Sequence, residues 1–196
     1  MDVDDAIAGR AEVTVEFDHH AAELARDPYP TYQRLREYCA LSAHPLGRIV
    51  LEIFDVGDPA AIGLSDQVCA ALQLIEHWQD VGEDRAAGRV YLPAEDLARF
   101  GVSERDLDAD VASPALRRLM TFQTDRAEAL LRSGAELIGA LRGWARLVVA
   151  GYVAGGLAGV DALRRSRGDV LAVSPRARRA DVVRHLARLL CGAWRR

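Results

Sequence analysis

The stretch Leu72–Pro93, LQLIEHWQDVGEDRAAGRVYLP, constrains this chain more than any other part of it. Wound as a helix at about 100° per residue, it gathers Gln73, Glu76, His77, Asp80 and Asp84 within an arc of roughly 100°. Ala71, Leu74, Ile75, Trp78 and Val81 fall on the opposite side, an apolar stripe that asks for helical partners. Asp80 and Asp84 stand one turn apart, so their carboxylates can converge on one cation, with Glu83 on the flank. Mg²⁺ takes oxygen ligands, commonly one or two carboxylates completed by water and substrate phosphate. The acidic face therefore suits a magnesium-bound diphosphate. It is equally the face that any surface helix turns to water.

The continuation of the string narrows the choice. Gly88-Arg89-Val90-Tyr91-Leu92-Pro93 follows the acidic residues at a fixed distance. Together they resemble the second aspartate-rich signature of the squalene/phytoene synthase family: a Gln, an Asn, an Arg-Asp that opens an acidic pair, then Arg-x-Tyr-x-Pro. Gln73, Asp80, Glu83, Asp84, Arg89, Tyr91 and Pro93 fall in register with it. Two positions depart. Glu76 stands where the family usually has Asn and keeps an oxygen donor there, while Gln79 replaces the usual Arg and removes a positive charge. The Trp78-Gln79-Asp80 triplet is similar to the branch that makes hydroxysqualene.

A second string supports the resemblance. Tyr38-Cys39, then the small residues Ser42 and Ala43, Pro45 and Gly47 are similar to the family's other signature. The resemblance implies that Tyr38 faces the reaction cavity and assists the rearranging carbocation. The small residues would let a prenyl chain lie close to the backbone, and Pro45 predicts a kink. Taken alone, Tyr38 reads as a tyrosine at the edge of a core.

Composition and patterning fit an all-α chain. At 196 residues the chain is read as one domain, 1–196, with 1–25 poorly defined and 26–196 carrying the family-like region. Half the residues are apolar and few are aromatic; all 25 basic residues are Arg. A net charge of −4 gives no reason to expect nucleic acid. No apolar run reaches the roughly 18 residues of a membrane span, and no signal peptide opens the chain, which predicts a cytoplasmic protein. Cys39, Cys69 and Cys191 form no metal or disulfide pattern.

Residues Glu12 to Phe17 alternate briefly like a strand, and His19-His20 read as solvated histidines. Asp27-Pro28-Tyr29-Pro30 predicts the start of a helix that runs toward Ala43, and a second follows from Gly47 to Phe54. Asp55–Pro59 reads as a turn, with the long central helix expected from about Ser65 to Glu83. Further helices are predicted over 94–100, over 114 to about 132, across 135–165 and over 176–194; Ser103 is expected to cap a turn of helix.

The resemblance implies an isoprenoid-synthase-type helical bundle, N-terminally shortened, because the family's first aspartate-rich helix has no counterpart in the sequence. It further implies Mg²⁺ held by Asp80, Asp84 and Glu83, and substrate contacts from Gln73, Glu76, Arg89 and Tyr91. The expected substrate is presqualene diphosphate, converted to hydroxysqualene for squalene and hopanoid synthesis. Head-to-head condensation of two prenyl diphosphates, or a non-catalytic role for a shortened relative, stay open. Peripheral membrane contact through an apolar cavity mouth also stays open, as does the oligomeric state.

Overall fold

A computed structural model describes residues 31–192, and every regular element among them is helical. The expectations for Glu12–Phe17, His19-His20 and Asp27–Pro30 lie outside the described residues. Thr31 accepts from the Arg34 amide and caps α1, Tyr32–Ser42. The chain then bends at Ala43, and α2, His44–Ile53, begins with Pro45 in its first turn, the kink that the proline predicts. Asp58 caps α3, Pro59–Gln79, whose Pro59 sits at the first helical position. The central helix thus begins six residues earlier than its apolar pattern suggests.

It also ends earlier. The expected continuation to Glu83 is interrupted at Asp80, which closes α3 and opens the short α4, Val81–Ala86. Val81 and Gly82 are both weak helix formers. A side chain at Gly82 would meet the backbone carbonyls of Val170 and Leu171, so another part of the chain lies directly against the bend. Gly88 (φ 76°) sits in the turn that follows, and the irregular segment 89–93 leads into α5, Ala94–Phe100. A 3-10 turn, Glu104–Asp108, carries the Ser103–Asp106 capping box.

The remaining helices are α6, Pro114–Gly134; α7, Leu137–Ala140; α8, Gly143–Arg165; and α9, Arg179–Leu190. The apolar stretch 135–165 is therefore two helices, broken where Leu141 and Arg142 turn extended and Gly143 takes a positive φ. The final helix starts at Arg179 instead of 176, because residues 169–178 form an irregular strap laid against the end of α3 and against α4.

The core forms around α3. Ala71, Leu74, Ile75 and Trp78 are at most 3% exposed, as the apolar stripe requires. Gly156 of α8 meets Leu72, and Gly159 meets Ile75 and Gln79, so α8 runs parallel to α3 at close range. Helix α8 is long and apolar enough to cross a membrane by length and composition, yet it supplies twelve buried residues to this core. On α5, Asp96 is 3% exposed and is satisfied by Gln123 and Arg126 of α6, which fixes the α5–α6 contact.

Candidate functional site

The end of α3 and the turn beyond it assemble a layered polar site. Helical spacing puts Gln73 and His77 one turn apart, and the Gln73 Nε2 lies 3.2 Å from His77 Nε2. His77 is 7% exposed and stacks on Tyr91, with ring centroids 3.8 Å apart and planes 15° apart. Burial first, and the nearby Arg89 second, lower the His77 pKa to about 4, so the ring is neutral at pH 7. Neutral His77 turns Nδ1 toward Asp84 Oδ2 at 4.0 Å. Tyr38 completes the aromatic layer, 6.0 Å from Tyr91 and 6.1 Å from His77 by ring centroids. Burial, and then the neighbouring Tyr38, push the Tyr91 phenol up to about 12.

Above this layer the carboxylates divide. Asp84 is buried and accepts from Arg89, Nη2 to Oδ1 2.7 Å and Nε to Oδ1 3.2 Å. Burial raises its pKa, and the Arg89 guanidinium opposes that shift. Asp80 and Glu83 turn to a different partner. Arg176, on the strap, donates from Nη1 to Asp80 Oδ1 at 2.7 Å and from Nη2 to Glu83 Oε1 at 3.1 Å. Ser174 donates to the same Glu83 oxygen at 2.5 Å, and Gln79 donates to the Pro175 carbonyl. Asp80 and Glu83 thus already share one cationic centre, a guanidinium.

Below lies an apolar cavity of about 190 Å³ between α2, α3 and α8. Leu46, Val50, Val68, Leu72 and Val149 line it, and Ser42, Gln73, Glu76 and Tyr152 supply polar groups. Gly47 sits where α2 closes on α3. A Cβ there would meet Cys69 Sγ and, at 2.6 Å, Ser65 Oγ, so this glycine serves helix approach at the cavity wall.

The expected residues therefore occupy two adjoining regions. Gln73 and Glu76 line the cavity; Asp84 and Tyr91 lie in the buried layer with the exposed Arg89 paired to Asp84, and Asp80 and Glu83 face the strap. Tyr38 stands in the aromatic layer and is not among the residues that line the cavity; Ser42, one turn on, is. Across the bend Asp80 and Asp84 stay one turn apart, the Asp84 amide donating to the Asp80 carbonyl at 2.7 Å, while their carboxylates take different arginine partners. No group of three His, Cys, Asp or Glu side chains placed to hold a metal occurs among the described residues. Sequence reading misses Arg176, because nothing in Ser-Pro-Arg-Ala-Arg marks a residue that returns to a helix 96 positions earlier. It also leaves His77 without a role, although the helical arc includes it.

A family model for squalene/phytoene synthase matches residues 7–185. The chain belongs to the squalene/phytoene synthase family. A hydroxysqualene synthase of Sinorhizobium fredii is 34% identical over 118 residues, covering 59% of this chain and 40% of that protein. A 15-cis-phytoene synthase of Synechocystis is 38% identical over 117 residues, covering 54% of this chain and 35% of that protein. The crystal structure of squalene synthase HpnC from Alicyclobacillus acidocaldarius superposes with a TM-score of 0.71 at 38% identity, over 74% of this chain and 56% of that one. A dehydrosqualene synthase solved with a ligand superposes at 0.75 with 24% identity, over 85% of this chain and 59% of that one, which speaks for the fold. The fold is the isoprenoid-synthase type of this family. The chain spans about 40% of the length of the hydroxysqualene synthases it matches.

Proposed function

We propose that this squalene/phytoene synthase relative binds a prenyl diphosphate and converts presqualene diphosphate to hydroxysqualene by loss of diphosphate and capture of water. The observation that carries this reading is the adjacency of an apolar cavity to a cluster of carboxylates and arginines, along the end of α3 from Gln73 and on through the bend into α4 at Asp84. A hydrocarbon chain belongs in the first region and a diphosphate in the second. Similarity to hydroxysqualene synthases over more than half of the chain supports the branch. The reading places the protein in the cytoplasm, with peripheral membrane contact where the exposed Leu46 and Tyr152 rim the cavity.

The donor chemistry fits Mg²⁺. Asp80 and Glu83 are hard oxygen donors that already converge on one cation, and Mg²⁺ needs only one or two carboxylates beside water and phosphate. Asp84 joins them only by giving up Arg89. Bound Mg²⁺ supplies charge neutralisation for the departing diphosphate. Arg89 and Arg176 offer guanidiniums suited to phosphate oxygens, and Tyr91 braces Arg89. Tyr38 stands beside Tyr91 in the same layer, and the reading gives it the role of assisting the rearranging cation. The cavity walls hold the hydrocarbon and keep bulk water from it.

The test is diphosphate release from presqualene diphosphate by the purified chain, with Mg²⁺ and with EDTA. Mg²⁺-dependent release with hydroxysqualene as product supports the reading; release in neither condition overturns it. Condensation of two prenyl diphosphates is the second reading, favoured by the 38% identity to a phytoene synthase. Consumption of farnesyl diphosphate alone separates the two.

A further inference from the structure

We propose that Glu76 is the catalytic group that faces the carbocation: its carboxylate stabilises the positive charge left as diphosphate departs and takes the proton of the capturing water. This deepens the reading above and rests on it. Fifteen residues line the cavity, and Glu76 is the one charged side chain among them. It is exposed, so its carboxylate is free to meet a ligand entering from the mouth. One turn further along α3 stands Asp80, gripped by Arg176, and the Arg176 guanidinium also feels the charge of Glu76.

The order along the helix is therefore apolar wall, Glu76, then the Asp80–Arg176 cluster. Four residues of helix separate Glu76 from Asp80 by about 6 Å along the axis. A prenyl diphosphate laid along this face, with its hydrocarbon in the cavity and its diphosphate at the cluster, brings the breaking bond to Glu76. Once the bound hydrocarbon covers the cavity side of Glu76, its carboxylate attracts a cation more strongly than it would in bulk water.

The step balances without a further reagent. The carbon–oxygen bond to diphosphate breaks, and both electrons leave with the diphosphate. A water oxygen then gives a lone pair to the cationic carbon and forms the new carbon–oxygen bond. The resulting oxonium passes its proton to Glu76, which ends as the neutral acid. Where the usual Asn of the resemblance would offer only an amide, Glu76 offers both negative charge and a proton acceptor.

The test compares the full chain with E76Q and E76D. Because Glu76 is exposed and E76Q is isosteric, the variants keep the fold. The first arm measures binding of a prenyl tertiary-ammonium salt and of its uncharged carbon isostere. E76Q is expected to lose about tenfold, or 1.4 kcal/mol, for the ammonium salt alone, with E76D between the two. No loss, or an equal loss for both probes, overturns the cation-facing role. The second arm follows products from presqualene diphosphate in ¹⁸O-labelled water. E76Q is expected to shift product from labelled alcohol toward alkene, with diphosphate taking the proton in place of Glu76. An unchanged alcohol share overturns the proton-accepting role. If the parent chain releases no diphosphate, the functional reading fails, while the ammonium comparison still decides what Glu76 faces.

Discussion

Arg176 Nη1 lies 2.7 Å from Asp80 Oδ1, joining an irregular strap to the end of the central helix across 96 positions of sequence. The same guanidinium reaches Glu83, so it bridges the two carboxylates to which the proposed function assigns Mg²⁺. Arg176→Ala should therefore tighten binding of Mg²⁺, or of Mn²⁺ as its spectroscopic substitute, by several-fold in calorimetric titration. The stability cost should stay within about 1 kcal/mol, because the Arg176 side chain is 60% exposed and such pairs are weak in water. Unchanged metal affinity would show that Arg176 and the ion do not share a place.

Asp84 and Asp80 should answer to neutralisation in different ways. Asp84 is buried against Arg89 and the His77–Tyr91 stack, so Asp84→Asn removes the charged partner of the Arg89 guanidinium at the edge of a buried stack. Arg89 itself is 44% exposed, which limits the loss to about 1–2 kcal/mol. Asp80→Asn should cost less than about 1 kcal/mol while abolishing Mg²⁺-dependent diphosphate release. Urea denaturation beside the release assay separates the two. Equal stability losses would mean that Asp84 is no more structural than Asp80.

Much of this was legible in the sequence because it is local. The apolar stripe of α3, the Pro45 kink and the Ser103 cap depend on residues within a turn or two of each other. Family membership was legible from the two strings around Tyr38 and Asp80. The bend at Asp80 was not. It depends on Val170 and Leu171, whose backbone occupies the space beside Gly82, a contact that no periodicity encodes. The partners of the acidic residues were hidden for the same reason. A helical arc shows that Asp80 and Asp84 can converge, but not that Arg89 pairs with one and Arg176 with the other.

Small residues in α8 and α6 divide by what a methyl group would meet. A Cβ at Gly134 would lie 2.8 Å from the Val68 backbone nitrogen and 2.9 Å from the Leu64 carbonyl, neither of which can move away cheaply. Gly134→Ala should therefore push α6 off α3 and cost about 1–3 kcal/mol. Gly151, within α8, has nothing within 4 Å of that position. Gly151→Ala should stabilise by about 0.5–1 kcal/mol through helix propensity alone. The two melting temperatures should move in opposite directions; a loss for both would mean that α8 packs on something at Gly151.

His77 should give the protein an acid-side weakness. Its folded pKa of about 4 lies below the ordinary imidazole value of 6.5, so between those values the unfolded chain binds a proton that the folded chain does not. Stability then rises with pH across that window and falls as the pH is lowered through it. Between pH 7 and pH 5 the loss from this group should be about 2 kcal/mol. Asp84 works against it at the acid end: its raised pKa makes the folded state hold a proton longer than the unfolded one, which stabilises as the pH falls. Cys39, buried with its thiol pushed up to about 12, contributes nothing in this range. His77→Phe keeps an aromatic ring to stack on Tyr91 and removes the titrating group, at the loss of the Gln73 contact. Urea midpoints at the two pH values should separate strongly for the parent chain and much less for His77→Phe. The same separation in both proteins would assign the acid weakness to other groups and leave the His77 ring without a part in it.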